Sequence, residues 1–145
     1  MRAVDEELRE PVRRVGVIAA VFVVAAVAVG GFFLFRGTRT PEQGARIAAE
    51  AFLDRLRAGN IGGAYDQLCN ETRERVERDD FVAGIGGRPA VRGYTIDGLA
   101  VAGDRDATVT ATLTDPGGNP TAYELRVTVD RGIWRVCGNP LDTNG

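Results

Sequence analysis

An α+β fold behind a single membrane-spanning helix is predicted by three features of the sequence. An apolar run near the N-terminus is long enough to cross a bilayer. The middle of the chain repeats its apolar residues every three or four positions, as a helix with one buried face does, and the C-terminal part alternates apolar and polar residues, as half-buried strands do.

The apolar run extends from Val15 to Phe35, twenty-one residues without a charge, bracketed by Arg13, Arg14 and Arg36. As a helix it spans about 30 Å, the thickness of a bilayer's hydrocarbon core. A buried helix of a globular domain usually keeps a polar stripe, and this segment has none. Ala26-Val27-Ala28 also fits a signal-peptide cleavage site, the alternative being a secreted chain. Against cleavage, Phe32 to Phe35 would be left as a bare apolar N-terminus. Arginines flank both sides, so the positive-inside rule leans only slightly toward a cytoplasmic N-terminus. The expected organisation is a cytoplasmic tail over residues 1–14, a transmembrane helix over 15–35, a linker over 36–39, an extracytoplasmic domain over 40–138 and a flexible tail over 139–145.

Within the domain, Thr40-Pro41-Glu42-Gln43 reads as a helix start, with Thr40 as N-cap, Pro41 at the first helical position and Gln43 completing a capping box. Ala45, Ala48, Phe52 and Leu56 continue one apolar face, and Gly59 is placed to end a helix spanning residues 41–58. Asn60 is expected to cap a second helix that carries Ala64 and Tyr65 and reaches Cys69. The charged stretch 70–78 predicts a solvated helical turn or two, and Asp79 or Asp80 is expected to cap one more short helix, broken by Gly84, Gly86, Gly87 and Pro89. From there the period becomes two. Ala107, Val109, Ala111 and Leu113 alternate with threonines, and Tyr123, Leu125, Val127 and Val129 alternate with Glu124, Arg126 and Thr128, predicting antiparallel strands. Residues 91–101 and 133–137 supply two more, making a curved antiparallel sheet of about four strands with helices on one face.

Composition removes several classes of function. Setting aside the four of each in the N-terminal tail, the eighteen basic and twenty acidic residues leave fourteen arginines against sixteen acids, interspersed, so no basic footprint for nucleic acid exists. Histidine is absent, which takes away the commonest general base and transition-metal ligand. No metal or cofactor is expected. Gly84-Ile85-Gly86-Gly87 lacks the Lys-Ser/Thr that a phosphate cradle needs. Asn70-Glu71-Thr72 matches a glycosylation acceptor and is expected to be coincidental. Cys69 and Cys137 lack CxxC spacing, and a structural disulfide is expected for a small domain outside the cell, with two buried free thiols as the alternative. An oxidised pair in turn favours the extracytoplasmic orientation.

The segments Ala51-Phe52, Gly59-Asn60, Ala64-Tyr65-Asp66-Gln67-Leu68-Cys69 and Gly132-Ile133-Trp134-Arg135-Val136-Cys137 together resemble the nuclear-transport-factor-2-like superfamily, over residues 40–138. More narrowly they are similar to its membrane-anchored or secreted members in high-GC Gram-positive bacteria. The resemblance implies a cone formed by helices and a curved sheet, a fold that hosts enzymes, ligand carriers and interaction modules. Its enzymes place a carboxylate and a tyrosine or histidine inside the cone. The candidates here are Tyr65, Asp66, Tyr94, Asp97 and Tyr123, but element phase puts neighbouring Tyr and Asp residues on different faces, so no catalytic set is expected. Tyr65, Tyr94, Tyr123 and Trp134 are the residues expected to line the cone.

The expected function is a non-catalytic, membrane-tethered extracytoplasmic module that binds an envelope protein partner or a small apolar ligand. The alternative is a small lyase, isomerase or hydrolase acting on an apolar substrate. Because the outward sheet residues are threonines and charges, the soluble domain is expected to be monomeric.

Overall fold

The computed structural model describes residues 39–141, and the chain from Thr40 onward forms one compact unit. The expected transmembrane segment 15–35 lies outside the described residues. Among the described residues no helix is long and apolar enough to cross a membrane.

Helix α1, Pro41–Arg57, starts on the capping box read from the sequence, with the Thr40 side chain accepting from the Gln43 N–H and the Gln43 side chain accepting from the Thr40 N–H. It ends on Ala58 and on Gly59 at φ 72°, where the Gly59 and Asn60 N–H groups return to the carbonyls of Leu56 and Arg55. Its buried face carries Ala45, Ala48, Ala49, Phe52, Leu53 and Leu56. Helix α2, Ile61–Tyr65, is capped by Asn60 as expected, but it stops at Tyr65 and does not reach Cys69. The chain turns over residues 66–68 to place Leu68 beside Val136 in a parallel bridge. Helix α3 follows as Asn70–Arg75 and helix α4 as Arg78–Gly86. The N-cap of α4 is Glu77, with no side-chain cap, where Asp79 or Asp80 was the expectation. Both aspartates fall in the first turn, where their charge complements the helix dipole. The helix also runs through Gly84 and Gly86 and is capped at Gly87, because glycine lowers helix propensity without forbidding it.

The strands are β1 Gly93–Ala102, β2 Asp106–Thr114, β3 Pro120–Asp130 and β4 Ile133–Cys137, a four-stranded antiparallel meander in sequence order. The α+β architecture is the expected one. Register aligns Leu99, Val109 and Leu125 across β1 to β3, and Val127 with Val136 across β3 and β4. These pairs form the inner face beneath α1, and Phe52, Leu53, Leu68, Val109, Leu125, Val127 and Val136 are all fully buried. Burial of each such side chain favours folding by about 1.5–3 kcal/mol. Thr108, Thr110, Thr112, Glu124 and Arg126 lie on the opposite face, as alternation requires. A bulge that the alternation did not reveal sits at Asp97, between Ile96 and Gly98. Its carboxylate accepts from the hydroxyls of Thr95 and Thr112, which holds its pKa below the usual carboxylate range, the Thr112 bond being the larger cause. The tight β3–β4 turn places Arg131 and Gly132 at positive φ, the two-residue geometry that matches strand twist.

Cys69 and Cys137, 68 positions apart in sequence, form a disulfide with Cα atoms 5.2 Å apart. Hydrogen bonds surround it. The Cys69 N–H donates to the Val136 carbonyl, the Val136 N–H to that of Gln67, and the Gly138 N–H to the Thr72 hydroxyl. The Asp130 carboxylate accepts from the Asn70 N–H at 2.7 Å, so a residue at the end of β3 does the work of a cap for α3. Segment 67–69 thereby covers the outer edge of β4, which would otherwise present unpaired backbone groups. Leu141, in the stretch expected to be a flexible tail, is 4 % exposed and belongs to the core, so the ordered domain extends past Gly138.

Candidate functional site

Among the described residues one candidate site is a cleft of about 600 Å³ at the open end of the helix and sheet layers. Its walls come from the end of α1 and start of α2 (Leu56, Ile61), the end of α4 and the following segment (Ile85, Val91) and the β2–β3 end of the sheet (Leu113, Tyr123). Each element brings an apolar residue here for the reason it folds: the apolar stripe or face that covers the core continues past the last close-packed layer. The size falls within the range of small-molecule pockets.

Two charged side chains stand at its rim, and both are engaged by the scaffold. Arg88 donates from Nη1 to the Leu141 carbonyl. Asp115 accepts from the side-chain amide and the backbone N–H of Asn119, which lowers its pKa, the side-chain bond contributing most. A carboxylate serving as a general base at neutral pH is usually tuned upward, the opposite of Asp115.

A second cleft, of about 460 Å³, opens on the other side of α4 between α3, α4 and the segment after β4. Ile85 and Arg88 line both clefts.

The four aromatic residues expected around the cone occupy different environments. Tyr123 lines the larger cleft. Tyr65 is buried, its hydroxyl donating toward the carbonyls of Val76 at 2.8 Å and Arg73 at 3.2 Å and its ring packing on Phe81 at 5.6 Å between centroids. It anchors the α3–α4 region instead of facing either cleft. Trp134 is half-buried and packs its indole close against Gly44 of α1, where any side chain would collide with it. Tyr94 donates at 2.9 Å to Asp54, which also pairs with Arg57 at 3.2 Å. Burial first, then the Asp54 bond and charge, push the Tyr94 pKa up to about 12. Asp54 is forty positions from Tyr94 and sits on the polar face of α1 among other charges, so nothing in the sequence marks the pair. Asp66 is bonded to Arg78, whose guanidinium lies over the Tyr65 ring.

The nucleophile inventory is short. The chain contains no serine, lysine or histidine, and both cysteines are bonded to each other. The missing serine is plain from composition and narrows covalent chemistry to threonine, tyrosine and carboxylates. Among the described residues no group of three or more Cys, Asp or Glu side chains is placed to hold a metal.

No sequence family and no curated protein sequence matches the chain. Among solved structures it is similar to a Campylobacter jejuni protein described as an NTF2-like transpeptidase, with a TM-score of 0.52 at 11 % identity, covering 65 % of this chain and 97 % of the other. The likeness establishes an NTF2-like fold for the helices and four-stranded sheet.

Proposed function

We propose that the protein is a non-catalytic binding module, tethered to the membrane by residues 15–35 and facing the extracytoplasmic side, that holds a small apolar ligand or an apolar segment of an envelope protein. The observation that carries this reading is the larger cleft: aliphatic side chains of Leu56, Ile61, Ile85, Val91 and Leu113 line it beside Thr114, Asn119, Thr121 and Tyr123, and its two charged rim residues are tied to the protein itself. An enzyme of this fold needs a carboxylate and a tyrosine converging on one substrate. This cleft holds one carboxylate and one tyrosine, Asp115 and Tyr123, but Asp115 is held by Asn119 with its pKa lowered, while the Tyr94–Asp54 pair lies away from it. The Campylobacter jejuni protein is described as a transpeptidase. Its name does not transfer to a chain with no serine and no free cysteine.

The disulfide supports an oxidising compartment, and the uncharged run 15–35 supports the tether. The outward sheet face, with Thr108, Thr110, Thr112, Glu124 and Arg126, supports a monomeric domain, since charges resist the desolvation that a sheet-to-sheet interface demands.

The test is photolabelling of the full-length chain in lipid nanodiscs with a neutral alkyl diazirine probe, followed by peptide mapping. Label is expected on peptides containing Leu113 and Leu56, and Thr121→Trp, at the exposed rim, should plug the cleft and remove it. Unlabelled cleft peptides in folded protein would overturn the binding reading. The tether is tested separately: the chain should stay in the membrane pellet after a carbonate wash, and its full release would make it a secreted protein.

A further inference from the structure

We infer that the β3–β4 turn is where the domain meets the bilayer: Ile133 and the edge of Trp134 enter the lipid interface, and the larger cleft is thereby turned away from the membrane. The partner is a lipid surface, for which zwitterionic lipid suffices, and the contact rests on the tether proposed above.

Chain length and packing point to the same end of the domain. The proposed membrane segment ends at Phe35 and α1 begins at Pro41, so the five residues between them reach at most about 18 Å when fully extended. A tethered domain therefore keeps the start of α1 close to the lipid head groups. Trp134 packs its indole against Gly44, in the first turn of α1. The β3–β4 turn, Arg131 and Gly132, directly precedes Ile133 and Trp134 and so lies at this end. The Val129 N–H donates to the Arg105 carbonyl at 2.8 Å, which brings the β1–β2 turn to it as well.

Its surface suits a lipid interface. Among the described residues Ile133 is the most exposed large aliphatic side chain, at 56 %, and Ile47, one turn beyond Gly44, follows at 46 %. A lone exposed aliphatic is ordinary on a soluble surface. Ile133 differs in standing next to the sole tryptophan of the chain, half-buried, at the end where the tether enters. Tryptophan favours the head-group level because its ring is apolar and its N–H is polar. Charge is not the attraction, since Arg39, Arg105 and Arg131 at this end stand against Glu42, Asp104, Asp106 and Asp130, with none of the basic excess that anionic lipid recruits.

The larger cleft sits at the opposite end. Leu56, one of its walls, is twelve residues beyond Gly44 on α1, about 18 Å along the helix axis. Leu113, on its sheet wall, pairs with Tyr94 at the start of β1, the end away from the two turns. With the turns on the bilayer, a ligand reaches the cleft from the aqueous side.

The single tryptophan is the reporter for the test. Full-length protein is placed in nanodiscs of zwitterionic lipid brominated near the head-group end of its acyl chains, because bromine quenches indole fluorescence at contact. Trp134 is expected to lose most of the emission it has in unbrominated discs. Ile133→Glu, at an exposed position, should restore that emission, since a carboxylate resists desolvation. A second reporter, Ile133→Trp combined with Trp134→Phe, should be quenched at least as strongly. Thr121→Trp combined with Trp134→Phe carries the indole to the cleft rim and should show no quenching. Full emission from both hairpin reporters in disc-bound protein would overturn the contact and leave the tether standing. A chain that does not co-elute with the discs would overturn both. Quenching of Trp134 that survives Ile133→Glu, or equal quenching at the cleft rim, would overturn the contact, because tethering alone then brings the domain to lipid. Quenching that appears only when anionic lipid is added would also overturn it in favour of an electrostatic one.

Discussion

Helix α1 and helix α4 border the same hydrophobic core with unequal holds on it. Helix α1 is seventeen residues long, starts on a two-way capping box, and buries seven residues against the sheet and α2. Helix α4 has nine residues, an N-cap without a side-chain bond, and a single buried side chain, Phe81. Its main neighbour is α2, itself a five-residue helix. Elements with few buried contacts open at lower free energy than elements with many. In this fold the firmly held helix builds the wall, and the loosely held one divides the two clefts. The division of labour lets the partition between the clefts adjust while the sheet and α1 stay fixed.

The covalent link is what keeps the loosely held side in place, and its removal should have the largest effect. The Cys69–Cys137 bond pins the start of α3, and through it α4, to the last strand. For a closed loop of this length the chain-entropy model expects about 4 kcal/mol. Replacing both cysteines by alanine should lower the denaturation midpoint of the full-length protein accordingly, and amide exchange should accelerate more over α3 and α4 than over α1. Uniform acceleration would mean that the two helices do not differ as their burial suggests. Two freely alkylated thiols in unreduced native protein would remove the link altogether.

A pair of matched truncations tests the difference directly. Phe52 of α1 is fully buried beneath the sheet, whereas Phe81 of α4 meets the core at its border, against Tyr65. Phe52→Ala should cost about 3–5 kcal/mol, the usual range for a large buried aromatic. Phe81→Ala should cost less than half as much, because α4 can settle into the vacated space and the cost of a cavity depends on how far its walls collapse. Chemical denaturation of both variants measures the ratio. Equal losses would make α4 as much a part of the core as α1.

How legible these regions were in the sequence follows the same line. The start of α1 was readable because a capping box is chemistry between residues three apart, and its end because Gly59 supplies the positive φ that the turn requires. Strands β2 and β3 were readable because one face is covered and the other wet, which forces strict alternation. The start of α4 was misread: aspartates are good N-caps, so Asp79 and Asp80 drew the boundary inward, while Glu77 takes the position with no cap bond at all. The end of α2 was misplaced because what stops it is the pairing of Leu68 with Val136, a contact 68 residues away. The clefts were not legible for a related reason. Their walls come from α1, α4 and the β2–β3 end, elements that meet only once the sheet curves under the helices. Tyr123 could be placed in the cleft from alternation alone, while Tyr65, with an equally good helical phase, is drawn inward by two backbone carbonyls beyond the reach of periodicity.

The smallest expected effect concerns the outer side of α1, where the rigid helix meets the edge strand through Tyr94 and Asp54. The phenol's ordinary pKa is 10.0 and in the fold it is pushed up to about 12, because burial and the neighbouring carboxylate both oppose a phenolate. Between those values an unfolded Tyr94 has lost its proton while the folded one keeps it, so the folded state binds more protons and stability falls as pH rises through the window. The contribution is complete below the lower value and gone above the upper one. Tyr94→Phe removes the titration and the hydrogen bond together. Near neutral pH the variant should lose only about 0.5 kcal/mol, the low end for a hydrogen bond, since this one is exposed to water. As pH climbs through the window, the difference between the variant and the native protein should shrink, because the native protein alone loses stability there. Difference absorbance between the two proteins isolates the phenolate of Tyr94, and its midpoint should lie near 12. A midpoint near the ordinary value would mean that Tyr94 does not meet Asp54 in solution, and that the edge strand is held to α1 no more firmly than α4 is held to the core.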